Sequence, residues 1–186
     1  MSVSTTIYLI RHGEAAGAWD DTLDPGLSAK GFRQAAAMAE KLGSLMSPVD
    51  IYTSPLKRTQ ETAAPLASLW KRKAVITPAL TEVPSDGVDF SSRRQWLNGV
   101  LAGSWPDQAD NLKAWREAIL DFTTSRGADA VFVTHFVVIN TIIGAIRESR
   151  QLVSCRPDHC SITKIRLEDG QLSLLALGAE AETVIR

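Results

Sequence analysis

The chain has 186 residues, 45% hydrophobic and 22% charged, a size that suits one domain around a single core. A formal net charge of −1 excludes capture of nucleic acid or an anionic membrane by a global field, so any bound anion must be met by a few placed cations. Two cysteines, Cys155 and Cys160, form neither a disulfide framework nor a zinc ribbon and read as reduced thiols of a cytoplasmic protein.

The first residues lack a basic region and are expected to lead into a strand, not to form a signal peptide. No apolar run is long enough to span a bilayer. A short apolar run predicts a buried strand over 7–10, ending at Arg11-His12-Gly13. Ser28 caps an alanine-rich helix to Leu42, with Gly43 after its end. A second strand follows over 50–53. Ser54-Pro55 then opens a helix whose Leu56, Ala63, Ala67 and Trp70 approximate one face, and Lys71-Arg72-Lys73 is its solvated end. A third strand is expected over 74–77. The stretch 83–108 is irregular, a lid-like insert with one helix over 92–101. A helix over 109–124 carries Leu112, Trp115, Ile119 and Phe122 on one face. A buried strand over 130–134, His135 and an apolar helix over 137–146 come next. Strands over 161–167 and 172–177 flank the hairpin signal Asp169-Gly170.

Alternating strands and helices imply an α/β fold: a three-layer αβα sandwich with a mostly parallel mixed sheet and an antiparallel edge strand. In such sheets ligands bind at the carboxyl ends of the strands. Arg11-His12, Ser54 to Arg58, and His135 each follow a strand, so their side chains should converge on one edge.

Arg11-His12-Gly13-Glu14 sets a guanidinium, an imidazole and a permissive backbone in sequence. Arginine's planar fork suits two phosphate oxygens, and glycine allows close approach to a ligand. By itself an Arg-His pair is more often structural. Arg58 lies in the first turn of its helix, where a cation works against the dipole unless an anion sits beside it. The alternative is a solvated arginine paired with Glu61 or Glu82.

In order along the chain, these segments resemble the histidine phosphatase superfamily, the phosphoglycerate mutase-like proteins. The matching segments are Arg11-His12-Gly13-Glu14, then Leu27-Ser28-Ala29-Lys30-Gly31 with Gln34-Ala35, then Ser54-Pro55-Leu56-Lys57-Arg58-Thr59 with Thr62-Ala63. Leu80-Thr81-Glu82, Val131 to His135 and Cys160-Ser161 complete the set. The resemblance implies a metal-independent phosphatase of phosphomonoesters with no cofactor. His12 would attack phosphorus and become phosphohistidine. Arg11, Arg58 and a protonated His135 would hold the phosphoryl oxygens, and Glu82 would be general acid and base. Substrate contacts would come from these cations, the backbone at Phe136, and Arg93 and Arg94 of the insert; for the last two, gripping a second anionic group and lying on a solvated face are equal readings.

The chain departs from the family pattern in places. Ala15, Ala16 and Gly17 stand where many members have Thr and Asn, and Phe136 replaces a glycine. His159 replaces an asparagine, and a structural role is favoured for it. Trp19, Asp20 and Asp21 would border the site, and Asp86 is a weaker candidate acid. Trp96 and Trp105 are read as the insert's own core, Trp70 and Trp115 as domain core. The other readings are a phosphoglycerate mutase-type phosphotransferase, a protein-phosphohistidine phosphatase and a non-catalytic phosphate-binding module. The expected partner is a small phosphorylated substrate, with no nucleic acid and no membrane; a homodimer stays open. No zinc-ligand motif, Walker A or dinucleotide glycine motif is present.

Overall fold

The computed structural model describes residues 4–17, 24–85 and 87–181. Strand β1 (Thr5–Arg11) is followed by α1 (Ala29–Leu45), β2 (Asp50–Thr53), α2 (Lys57–Trp70), β3 (Ala74–Ile76), α3 (Arg93–Ala102), α4 (Asp110–Thr124), β4 (Ala130–Thr134), α5 (Phe136–Ile146), β5 (Ile162–Glu168) and β6 (Gln171–Ala176). The strands form one mixed sheet in the order β3-β2-β4-β1-β5-β6. The first four are parallel, and β5 and β6 add an antiparallel edge.

Side chains of a strand alternate between faces, and here both faces are covered. Ile7, Leu9, Ala130 and Phe132 pack with Ile119 of α4 and Val138, Ile139, Ile142 and Ile143 of α5. Ile10, Ile51, Val131 and Val133 pack on the other face with Met38, Ala39 and Leu42 of α1 and Ala63, Leu66 and Trp70 of α2. β4 is buried at all five residues because it is central and has helices on both sides. This is the expected three-layer αβα arrangement. Among the described residues, no helix is long and apolar enough to cross a membrane.

Several boundaries differ from expectation for identifiable reasons. Helix α1 runs through Gly43 to Leu45. That glycine does not terminate the helix but gives room to α2: a Cβ there would lie 2.4 Å from Leu69 Cδ2. Helix α2 starts at Lys57, not at Ser54-Pro55, and Leu56 is its N-cap. Ser54 Oγ instead accepts from Leu56 N–H at 3.2 Å, and the Asp24 carboxylate caps Lys57 N–H at 2.9 and 3.1 Å. Helix α5 begins one residue early, at Phe136, with His135 as N-cap. The hairpin holds as read: Asp169 and Gly170 have φ of 49° and 76°, the positive values a two-residue turn demands.

The insert packs through Leu97, Val100 and Trp105 against Leu112 of α4 and against Phe136 and Val137 at the start of α5. Trp96 joins this cluster half-buried, so both insert tryptophans are core. Trp70 is buried against α1, and the half-buried Trp115 donates to Thr81 O at 3.1 Å.

Sheet order makes the site. β2, β4 and β1 are neighbours, with Arg11 beside Thr134 and Thr53 beside Val133. The ladder continues one step further: His12 N–H donates to Thr134 O at 2.9 Å, and Ser54 N–H to Val133 O at 3.2 Å. His12, Ser54 and His135 therefore leave the sheet side by side.

The loop after β1 crosses α1 at Gly31, where an added Cβ would lie 2.1 Å from Glu14 O. Alanine normally gains up to ~1 kcal/mol over glycine inside a helix. Here the backbone clash should reverse the sign, and Gly31→Ala should lose roughly 1–3 kcal/mol. Urea denaturation measures it; a midpoint equal to or above wild type would contradict the close crossing.

Candidate active site

His12 is 8% exposed at the end of β1. Its Nδ1 lies 2.7 Å from Gly13 O. A carbonyl only accepts, so Nδ1 carries the proton and Nε2 is left with its lone pair. Arg58 Nε donates to that Nε2 at 3.3 Å. Burial first, then Arg58 and Arg11, push this imidazole well below the ordinary histidine range, so it is neutral. Gly13 N–H donates to Thr62 Oγ1 at 3.0 Å, and Thr62 Oγ1 donates to Arg58 O at 2.7 Å. The histidine loop is thereby pinned to the first turns of α2.

Glu14 anchors the same loop to α1. Its N–H donates to Gln34 Oε1 at 2.9 Å and its carboxylate accepts from Ser28 Oγ and Lys30 Nζ at 2.8 and 3.0 Å. Beyond it, Ala15 pairs with Leu27 and Ala16 N–H is spent on Gly26 O. That N–H therefore does not replace the missing Thr and Asn contacts.

Arg58 is 4% exposed, which removes the solvated reading. Glu61 turns elsewhere, accepting from Leu27 N–H at 2.6 Å and facing Lys57. Arg58 Nη1 lies 3.9 Å from Asp24, and Nη2 donates to His135 Nδ1 at 3.3 Å. Arg11 Nη1 donates to Pro157 O at 2.9 Å, and its guanidinium lies 5.4 Å from the centre of the Phe136 ring. Arg11 Nε is buried with no hydrogen-bond partner among the described residues.

His135 is fully buried. Because Arg58 can only donate, Nδ1 of His135 is the accepting nitrogen. The ring proton then sits on Nε2 and is donated to Ser54 Oγ at 2.8 Å. Burial, with Arg58, His12 and Arg11, holds its pKa well below the usual value. The side chains as arranged hold a neutral ring; the protonated His135 expected to hold phosphoryl oxygens belongs to the anion-bound pocket.

Glu82 is 7% exposed. Its carboxylate accepts from Val83 N–H at 3.0 Å and faces the first turn of α5 at Val137. Burial raises its pKa, and the backbone amides and the two arginines only partly offset that rise. The sequence left open whether burial or the arginines would dominate; burial does. Its Oε2 lies 3.8 Å from His135 Nδ1.

Five predicted residues, His12, Arg11, Arg58, Glu82 and His135, thus converge, with Phe136 beneath Arg11. Arg93 is the first residue of α3, bonds Ser85 Oγ at 2.7 Å and is close enough to lower the pKa of Arg58. Arg94 is exposed. Trp19, Asp20, Asp21 and Asp86 lie outside the described residues. His159 lies close to the site, its ring centre 5.9 Å from that of His12 and its Nδ1 3.8 Å from Asp158. Burial and Arg11 lower its pKa to about 4. Asp24 was missed: it reaches α2 from a loop 33 residues away and had no signal. Ser54 and Thr62 were named as motif positions without a role, and the structure gives them His135 and the His12 loop to hold.

The arrangement offers a tetrahedral anion two guanidinium groups, a neutral imidazole with an unprotonated Nε2, and a carboxyl group inclined to keep its proton. Both cysteines are free, and burial pushes each thiol up to about 12, so neither is the nucleophile. Among the described residues, no three of His, Cys, Asp and Glu converge as metal ligands.

The profile of the Histidine phosphatase superfamily (branch 1) matches residues 7–180. A protein of Arabidopsis thaliana named metal-independent phosphoserine phosphatase is 40% identical over 84 residues, 43% of this chain and only 33% of that protein's length. A protein of Thermoplasma acidophilum named 2,3-bisphosphoglycerate-dependent phosphoglycerate mutase is 28% identical over 94% of this chain and 92% of its own. The solved structure of Bacillus stearothermophilus YhfR superposes with a TM-score of 0.76 at 22% identity, covering 96% of this chain and 98% of that one. This likeness shows the phosphoglycerate mutase-like fold.

The site is costly, and that cost has a sign. A raised Glu82 pKa means its ionised form destabilises the fold above that pKa, a penalty that vanishes as pH falls through it. Glu82→Gln should therefore raise the melting temperature at pH 7, with the gain shrinking toward acid pH. A melting temperature lowered at pH 7 would contradict the burial argument. The histidines act oppositely: His12, His135 and His159 are all depressed, so the stability they contribute is complete above ~6.5 and is lost as pH falls below it.

Proposed function

The chain belongs to branch 1 of the histidine phosphatase superfamily, and from that premise we propose that it hydrolyses phosphomonoesters through a phosphohistidine on His12. The observation that carries this reading is the tautomer of His12. Its proton is tied down at Gly13 O, and its unprotonated Nε2 accepts a long bond from Arg58 Nε. A nucleophile needs a lone pair aimed at its target, and a phosphoryl group needs cations around it.

In the first step His12 Nε2 forms a bond to phosphorus and the phosphorus–oxygen bond to the alcohol breaks. Arg11 and Arg58 hold the non-bridging oxygens, and Glu82, kept protonated by burial, gives its proton to the leaving alcohol. In the second step water attacks phosphorus, Glu82 takes the water's proton, and the nitrogen–phosphorus bond breaks. No metal or cofactor enters either step. Arg93 beside Arg58 suits a substrate with a second anionic group, with the 83–108 insert as the lid over it. The name of the Arabidopsis relative makes phosphoserine the first substrate to try.

One observation favours a second reading. The match to a protein named as a phosphoglycerate mutase runs almost the full length of both chains. Retention of the phosphoryl group by the enzyme, with return to another hydroxyl, would use the same five residues.

Phosphate release from a panel of phosphomonoesters in EDTA tests the reading, with 3-phosphoglycerate plus 2,3-bisphosphoglycerate as the mutase arm. Hydrolysis should persist in EDTA and fall roughly a thousandfold or more in His12→Ala. Loss of activity to EDTA, or activity kept by the variant, contradicts the nucleophile. Interconversion of the phosphoglycerates without release replaces hydrolysis with transfer.

A further inference from the structure

Arg58 serves both imidazoles at once. Its Nε reaches His12 Nε2 and its Nη2 reaches His135 Nδ1, each at 3.3 Å. Since arginine has no acceptor, the two rings are held as opposite tautomers. His12 carries its proton on Nδ1 and His135 on Nε2. Both bonds are at the long end of the range. A phosphoryl dianion offers the same donors shorter, charge-assisted bonds.

When Nη2 turns to a phosphoryl oxygen, Nδ1 of His135 loses its donor. Its bare lone pair would then repel the anion, whereas an N–H there would attract it. Ser54 decides which nitrogen is in that position. Its Oγ accepts the Nε2 proton at 2.8 Å and is itself fixed, accepting from Leu56 N–H at 3.2 Å and fully buried where β2 meets α2. The ring cannot turn over without stranding a buried hydroxyl.

We propose that Ser54 is a positioning residue that makes His135 the proton-loading group of this pocket: entry of a phosphoryl dianion is coupled to uptake of one solvent proton on His135 Nδ1. One N–H bond forms and none breaks in the protein. The charged and titratable groups facing His135 are Arg58 from α2, Arg11 and His12 from the end of β1, and Glu82 from the loop before the insert. The two cations, with burial, keep the ring neutral, and a dianion between them offsets that field. The inference rests on the phosphatase reading of the pocket.

The test is nitrogen-15 NMR of the full chain labelled at histidine. With only three histidines in the sequence, His12, His135 and His159, the signals are assigned by His159→Asn and His12→Gln in turn, the remaining set being His135. Tungstate is the probe, a phosphate-shaped dianion that does not titrate near neutral pH. Before addition at pH 7, His135 should show the Nε2–H tautomer and His12 the Nδ1–H tautomer. With tungstate, His135 should become an imidazolium while His12 stays neutral. In Ser54→Ala the proton affinity of His135 in the tungstate complex should fall about tenfold, the loss of one hydrogen bond to a charged group, and Ser54→Thr should restore it. Tungstate that shifts His12 but leaves His135 neutral in wild type would overturn the inference while sparing the phosphatase reading. So would a Ser54→Ala complex that titrates like wild type. Tungstate that moves no histidine at saturation would remove both.

Discussion

Arg58 is a permanent cation carried into a place where it is 4% exposed, in the first turn of a helix whose dipole opposes it. A buried charge left unpaired would cost several kcal/mol, and the fold surrounds this one with partial remedies. Asp24 caps α2 and faces Nη1, while the two imidazoles accept from Nε and Nη2. Among the described residues no carboxylate closes on the guanidinium in a bidentate pair: Asp24 stands 3.9 Å away and is 42% exposed. The result is a strong, fixed positive field whose best partner is an anion brought from outside. The neutrality of both histidines and the held tautomers follow from that field and from burial.

Glu82 answers the same constraint from the opposite side. Its carboxyl group closes its own loop through Val83 N–H and faces Val137 at the start of α5. These amides would ordinarily favour the charged form, yet burial outweighs them. One side chain thereby braces its loop and stands as a buried acid near the two arginines. The insert's hydrophobic cluster packs on Phe136 and Val137, so the insert and the acid share one foundation.

The layered fold was legible because its signals are strong and local. The apolar runs of β1 and β4, the Ser28 cap and the Asp169-Gly170 turn each state their element directly. Where the reading slipped, tertiary packing had overridden a local rule. Gly43 reads as a helix stop but α1 continues through it to Leu45, and Ser54-Pro55 reads as a helix start but the Ser54 hydroxyl accepts from Leu56 N–H and the helix begins at Lys57. Of the site, the five residues with distinctive chemistry were visible from their places after strands. Their support was not: Asp24 and Thr62 act across loops, and no spacing announces such contacts. That two cations press on the buried ring of His135 was not legible, because a sequence shows which cations exist and not where they meet. The nearness of His159 to His12 was hidden for a related reason, since it depends on how the segment after α5 folds back.

What remains central is whether the lone pair on His12 Nε2 becomes a bond to phosphorus. Rapid quenching during turnover of a phosphomonoester labelled in its phosphoryl group, followed by mapping of the labelled peptide, reads this directly. The account predicts a transient label that is acid-labile and alkali-stable and lies on Nε2 of His12. Label on another residue, or turnover with no protein-bound phosphoryl group at any time, would contradict it.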